Sequence, residues 1–340
     1  MHNRPRLGML LVLLLFPLCV CAASTSAPTP EPQAQESTSP ERQAPKPTLK
    51  LLMVLWRGET AAEQGFVDEL RQQRVAVEIT RINANQDRDR LAEQLWKLAP
   101  RLDQFDLVYS FGTTASVMIK TLIRGRTPQL YSMVHNPAEA GLEPATPASL
   151  ALTGSTDAIP ARLQLEVARQ LFQIRRLGFL FNARELNSQV QLEELELLCA
   201  EMGIALEILR VAPNSESLAN QLNRLRSAEV AIDALYLPND SYIISQSKLI
   251  MDTLRQTPYR VIGTHETFVR DGALLAVAPD FDAMGRHLAR RLRQLQDSDF
   301  HTHLAPITVE HPRIIYNEAT RLRLQVQIPA ALADRMVPIH

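Results

Sequence analysis

The chain has 340 residues, 46% of them hydrophobic and 21% charged, which is the composition of a globular protein rather than a disordered or fibrous one. That length exceeds one ordinary domain and leaves room for two cores. A formal net charge of -1, with no Cys/His finger and no Lys/Arg run, argues against a nucleic-acid partner.

At the N-terminus, His2, Arg4 and Arg6 precede an apolar stretch from Leu7 to Leu18 and the small residues Ala22 and Ala23. This is the pattern of a secretory signal peptide over residues 1–23. It falls short of the ~20 apolar residues that span a bilayer comfortably, and Pro17 interrupts it, so cleavage is expected ahead of retention as an anchor. Leu18 and Val20 precede Cys19 and Cys21, where a lipoprotein signal wants small residues. A soluble periplasmic product is therefore expected over a lipid-anchored one. Cleavage would leave Cys199 without a disulfide partner, and its apolar helical setting reads as a small buried hydrophobe. Residues 24–47, nearly all Ser, Thr, Pro, Gln, Glu and Ala, read as a flexible spacer.

From Leu49 onward, short apolar runs alternate with amphipathic stretches, the mark of βαβ units and a parallel sheet. The first series predicts strand Leu49–Trp56, helix Ala61–Gln73, strand Val75–Ile82, helix Arg88–Leu98, strand Leu107–Ser110, helix Ala115–Leu122 and strand Gln129–Val134. After the Pro-rich passage Pro137–Pro147, the second opens with strand Leu150–Thr153 and helix Ala161–Phe172. It continues with strand Arg176–Phe181, helix Ser188–Met202, strand Ala205–Val211, helix Glu216–Arg226, strand Ala234–Leu237, helix Ile243–Arg255 and strand Arg260–Gly263. Leu274–Ala278 reads as a returning strand and Phe281–Leu295 as a helix packing back on the first lobe.

The expected fold is α/β, with two doubly wound parallel-sheet lobes joined by a hinge of several crossovers. The first lobe takes 48–150 plus about 278–300, the second 151–277, and residues 301–340 close on the lobes.

In open parallel sheets a ligand lies beyond the carboxyl ends of the strands, so the residues following each strand are the candidates. They are Trp56, Arg57 and Glu59; Thr113 and Thr114 after Gly112; Asn136; Asn182; Asp240; Glu266 after His265; and Asp280. Gly112-Thr113-Thr114 opening a helix offers unpaired amides and the positive dipole end to an anion such as a carboxylate. Either Thr could instead cap its own helix. Ser188 reads as an N-cap, and Asn182, after a buried strand, has a stronger claim on a ligand. Asp240, Glu266 and Asp280 could balance an ammonium or simply be solvated. Trp56 could stack on a ring or fill the core.

This ordered set of loops resembles the ABC-transporter substrate-binding proteins that include binders of aromatic amino acids, from about Leu49 to Pro329. The resemblance is carried by Leu152-Thr153-Gly154, Leu163 to Glu166, Arg176 to Asn182 with Asn187-Ser188, Tyr236 to Ser241, Gly272 to Leu274 with Asp280-Phe281 and Gly285-Arg286, and Asn317 to Pro329. It implies a type I periplasmic binding protein fold and capture of a small polar solute for an inner-membrane ABC permease. It also implies ligand contacts at Thr113, Thr114, Asn136, Asn182, Asp240, Glu266 and Asp280, Asn182 and Asp240 foremost. Trp56 to Glu59 replaces a loop that usually carries small or apolar residues, His265 stands where the family often has an acid, and Arg184 is bulkier than usual. All three departures fall in the cleft.

No reactive constellation accompanies these loops. His265-Glu266 lacks the second histidine of a zinc-protease helix, and there is no nucleophile elbow, Walker loop or Cys/His cluster, so no catalytic residue, metal or cofactor is expected. A monomer that closes on its ligand is expected. The same closure could serve docking on a membrane sensor such as a receptor kinase.

Overall fold

A computed structural model describes residues 48–143 and 150–339. The expected signal peptide and spacer lie outside the described residues. In the first lobe the strands are β1 (Leu49–Leu55), β2 (Val77–Asn83), β3 (Leu107–Phe111), β4 (Gln129–Ser132) and β5 (Leu152–Gly154). They form one parallel sheet in the order β2-β1-β3-β4-β5. Six of the seven β1 residues and all of β3 are buried, as expected of central strands covered on both faces. The linking helices are α1 (Ala61–Gln72), α2 (Arg88–Leu98) and α3 (Thr113–Ile123).

The second lobe begins with α4 (Ala161–Leu171), β6 (Arg176–Asn182), α5 (Leu186–Met202), β7 (Ala205–Val211), α6 (Ser217–Arg226) and β8 (Ala234–Leu237). It continues with α7 (Ser241–Ser245), α8 (Ser247–Leu254), β9 (Arg260–Gly263), α9 (Glu266–Asp271) and β10 (Leu275–Ala278). After α10 (Phe281–Asp297), the chain returns through β11 (Arg313–Asn317), α11 (Glu318–Arg323), α12 (Ala330–Ala333) and β12 (Met336–Ile339). The sheet order is β12-β11-β10-β9-β8-β6-β7, parallel except where β11 runs against β10. In this core Phe179 stacks on Phe181 and packs at a tilt against Tyr236.

Helix α10 belongs by packing to the first lobe, where Leu288, Leu292 and Leu295 share a core with Phe66 and Leu70. The two backbones touch: a Cβ on Gly285 would lie 1.9 Å from the carbonyl oxygen of Ala62. Arg290 fixes the pair with a 2.9 Å ion pair to Glu69. The chain thus crosses between lobes after β5, after β10 and again between α10 and β11, the hinge pattern expected of the two-lobed fold.

Several boundaries differ from expectation. The strand expected to open the second lobe is β5, and it completes the first sheet, because β4 presents an open edge that pairs Gln129 with Leu152 and Tyr131 with Gly154. The first lobe therefore runs past 150 to at least Gly154. The helix expected over Ile243–Arg255 is broken at Gln246 into α7 and α8. Residues 301–340 divide between the lobes: Ile307 bridges Ser155 beside the first sheet, while β11 and β12 extend the second.

Candidate functional site

The carboxyl ends of β1 and β3 lie side by side, Trp56 N donating to the Phe111 carbonyl at 3.3 Å. Gly112 then turns the chain into α3 at φ 82°, a left-handed conformation that strains any side chain, and a Cβ there would press to 3.3 Å from that of Trp56. Gly112 is itself the N-cap and has no side chain to offer, so Thr113 and Thr114 cap nothing and are the first helical residues. The leading amides of α3 and its positive dipole end are left open toward the second lobe.

Facing them are Asp157 after β5, Glu185 and Asn187 after β6, and Asn239 and Ser241 after β8. Together with Trp56, Arg57, Phe111 to Thr114 and Met133 they enclose a cavity of about 20 Å³, little more than the room of one water. The lobes are closed. Three polar atoms on this wall are buried without a hydrogen-bond partner: Trp56 Nε1, Asp157 Oδ1 and Asn239 Oδ1. The other Asp157 oxygen accepts from the Asn239 amide, and Oδ1 lies 3.5 Å from His135 Nδ1, too far for a well-formed hydrogen bond but close enough to pair with the ring when it is charged. Burial pulls the His135 imidazole down, but Asp157 and the charges of Glu194 and Glu139 leave its pKa raised. Unmade bonds at buried groups are costly, so these atoms mark where polar atoms of a ligand would complete the cleft.

Glu185 on this wall and Asp240 behind it form a carboxylate pair with a different task. Both Glu185 oxygens accept from Ser241 N at 3.0 Å, and burial, followed by the charge of Asp240, pushes Glu185 up to about 8. Asp240 is fully buried; its Oδ2 accepts from Asn182 N at 2.8 Å and Ser188 Oγ at 2.6 Å, and its Oδ1 from Ile243 N at 3.0 Å. Burial raises its pKa as well.

Arg57 reaches from the first lobe over the rings of Phe111, 5.2 Å from its centroid, and Phe281, 5.9 Å from its centroid. Burial lowers its pKa against the pull of Glu185, Asp157, Glu63 and Asp240. His265 closes this corner edge-on to Phe281 at 4.8 Å, and burial, then Arg57 and Arg270, push its pKa down to about 3.

Of the expected contacts, Trp56, Arg57, Thr113 and Thr114 stand together on the cavity wall, and Trp56 also belongs to the first core. The others stand off it, each held by its own fold. Glu59 pairs with Arg81 at 2.5 Å at the surface. The side chain of Asn136 accepts from Glu139 N at 3.3 Å and borders a separate cavity of about 1290 Å³. Asn182 Oδ1 accepts from Arg184 N at 3.0 Å. Asp240 and Asp280 are N-caps of α7 and α10. Glu266 bridges Arg270 and Arg313. Ser188, expected as an N-cap, instead lies inside α5 and donates to Asp240.

Asp157, Glu185, Asn187, Asn239 and Ser241 complete the wall without having been singled out for it. Asp157 was within reach of the strand-end rule, since it follows β5 by three residues; Glu185 is a loop acid like many others, and only burial distinguishes it.

A family model described as ABC transporter substrate binding protein matches residues 53–337. A tyrosine-binding protein of Clostridioides difficile (strain R20291) is 23% identical over 228 residues, covering 66% of this chain and 64% of its own length, so the chain spans just under two thirds of that relative. Among solved structures, the ABC domain of a Streptococcus pneumonia protein in complex with L-Trp superposes with TM-score 0.77 at 19% identity, over 86% of this chain and 100% of that one. A ligand-free, open substrate-binding protein with adhesive properties from Clostridium difficile gives TM-score 0.65 at 20% identity, over 86% and 99%. At these identities the superpositions speak for the fold.

Proposed function

The chain belongs to the ABC transporter substrate-binding protein family, and from that premise we propose that it is exported to the periplasm, closes as a monomer on a zwitterionic α-amino acid, and presents it unchanged to an inner-membrane permease. The observation that carries this reading is the polarity of the cleft. On one wall, Asp157 Oδ1 and Asn239 Oδ1 are buried acceptors without donors; on the other, the uncapped start of α3 offers donors without acceptors. An ammonium suits the first and a carboxylate the second. The relatives named for tyrosine and solved with L-Trp support the same ligand class. The pattern over residues 1–23 supports export.

A thermal-shift screen of the purified mature chain against amino acids, small carboxylates, sugars and nucleosides tests the ligand class, because a ligand bound only by the folded state raises its melting temperature. At least one α-amino acid is expected to raise it, and the corresponding amine lacking the carboxylate to do nothing. A response confined to sugars or nucleosides would overturn the proposal.

A further inference from the structure

Within an amino-acid cleft of this kind, Arg57 has no assigned partner. Its guanidinium lies over Phe111 and Phe281, and among the described residues it makes no hydrogen bond and no ion pair. The two rings flank the guanidinium, and its N–H fork is engaged by no side chain or carbonyl among the described residues. Arg57 is half-buried on the cleft wall with its donors unpaired, and a carboxylate that met them in bidentate fashion would form a charge-assisted pair there.

Glu185, Asp157, Glu63 and Asp240 all pull on this cation, but among the described residues none of them is ion-paired with it. Asp240 is engaged by Asn182, Ser188 and Ile243. Glu185, pushed up to about 8, holds its proton at neutral pH. Asp157 is the acceptor that faces the ligand ammonium, and the α-carboxylate is taken by α3. His265, held neutral by burial, adds no charge at this corner.

We propose that Arg57 sets the specificity of the cleft by receiving a second anionic group, so that the ligand is an α-amino acid with an acidic side chain. This rests on the amino-acid reading above and narrows it.

Calorimetric titration of the wild-type chain with L-glutamate against L-glutamine, and L-aspartate against L-asparagine, compares ligands of one shape that differ in one charge. At least one acid is expected to bind about tenfold or more tightly than its amide, as a charged hydrogen-bonded pair warrants. In Arg57→Gln that ratio should fall close to one, and in Arg57→Lys, which keeps the charge and loses the fork, it should lie between. If L-tyrosine or L-tryptophan binds and neither acid is preferred over its amide, the Arg57 proposal is wrong and the amino-acid reading stands. If no α-amino acid binds the wild-type chain, both fall. Should Arg57→Gln fail to fold, the wild-type ratios alone decide.

Discussion

Asp157 and Asp240 both follow sheet strands, yet the fold uses them in opposite ways. Asp240 satisfies two backbone amides and the Ser188 hydroxyl, tying the end of β6 and the first turn of α5 to the start of α7. Asp240→Ala should therefore cost about 3 kcal/mol in urea unfolding, since it strands three buried donors. Asp157→Asn should spare stability and weaken amino-acid binding by about tenfold or more in the same titrations. A stable Asp240→Ala protein would contradict this division. Glu185 gives the pH dependence. Its folded pKa, about 8, lies above its ordinary value, so the folded chain binds the extra proton and this contribution is lost as pH rises from the ordinary carboxyl range through about 8. His265, whose folded pKa is depressed, contributes in the opposite sense as acid is added. The difference between wild type and Glu185→Gln isolates Glu185: the wild-type melting temperature should drop more steeply from about pH 5 to about pH 8 than the variant's. At this scale the sequence showed which residue types stand at strand ends, and so exposed Trp56, Arg57, Thr113 and Thr114. It could not show which way a carboxylate faces, and that separates Asp157 from the caps at Asp240 and Asp280.

Helix α3 and the α1–α10 pair carry the first lobe's side of the cleft. Gly-Thr-Thr after a buried strand marked the start of α3 as an anion site but left a threonine cap equally open with the helix beginning at Ala115; the structure starts the helix at Thr113 with Gly112 at the capping position. The assignment of α10 to the first lobe rests on Gly285, where the backbone of α1 comes too close for any side chain. Gly285→Val should destabilise by about 2 kcal/mol or more in chemical denaturation, because the helices must part. An unchanged midpoint would show that the close approach is not required. The break between α7 and α8 was hidden: Tyr242 to Ser247 contains no glycine or proline, yet the short helix that Asp240 opens ends at Gln246, which in turn starts the next. β5 was assigned to the wrong sheet for a related reason, since alternation of apolar runs reveals a strand but not its neighbour.

For the molecule as a whole, the two-lobed parallel architecture and its repeated crossings were readable from the βα alternation, whereas the state of the cleft was not, because closure depends on how the lobes meet rather than on any local pattern. A cavity of about 20 Å³ cannot hold an amino acid, so binding requires the lobes to separate about the crossovers and close again on the ligand. The most direct measurement is a crystal structure with the tightest-binding amino acid of the thermal screen. Its ammonium should lie within hydrogen-bonding distance of Asp157 Oδ1 and Asn239 Oδ1, with its α-carboxylate at the first amides of α3. A ligand bound in the reverse orientation, or in the separate cavity beside Asn136, would contradict this placement.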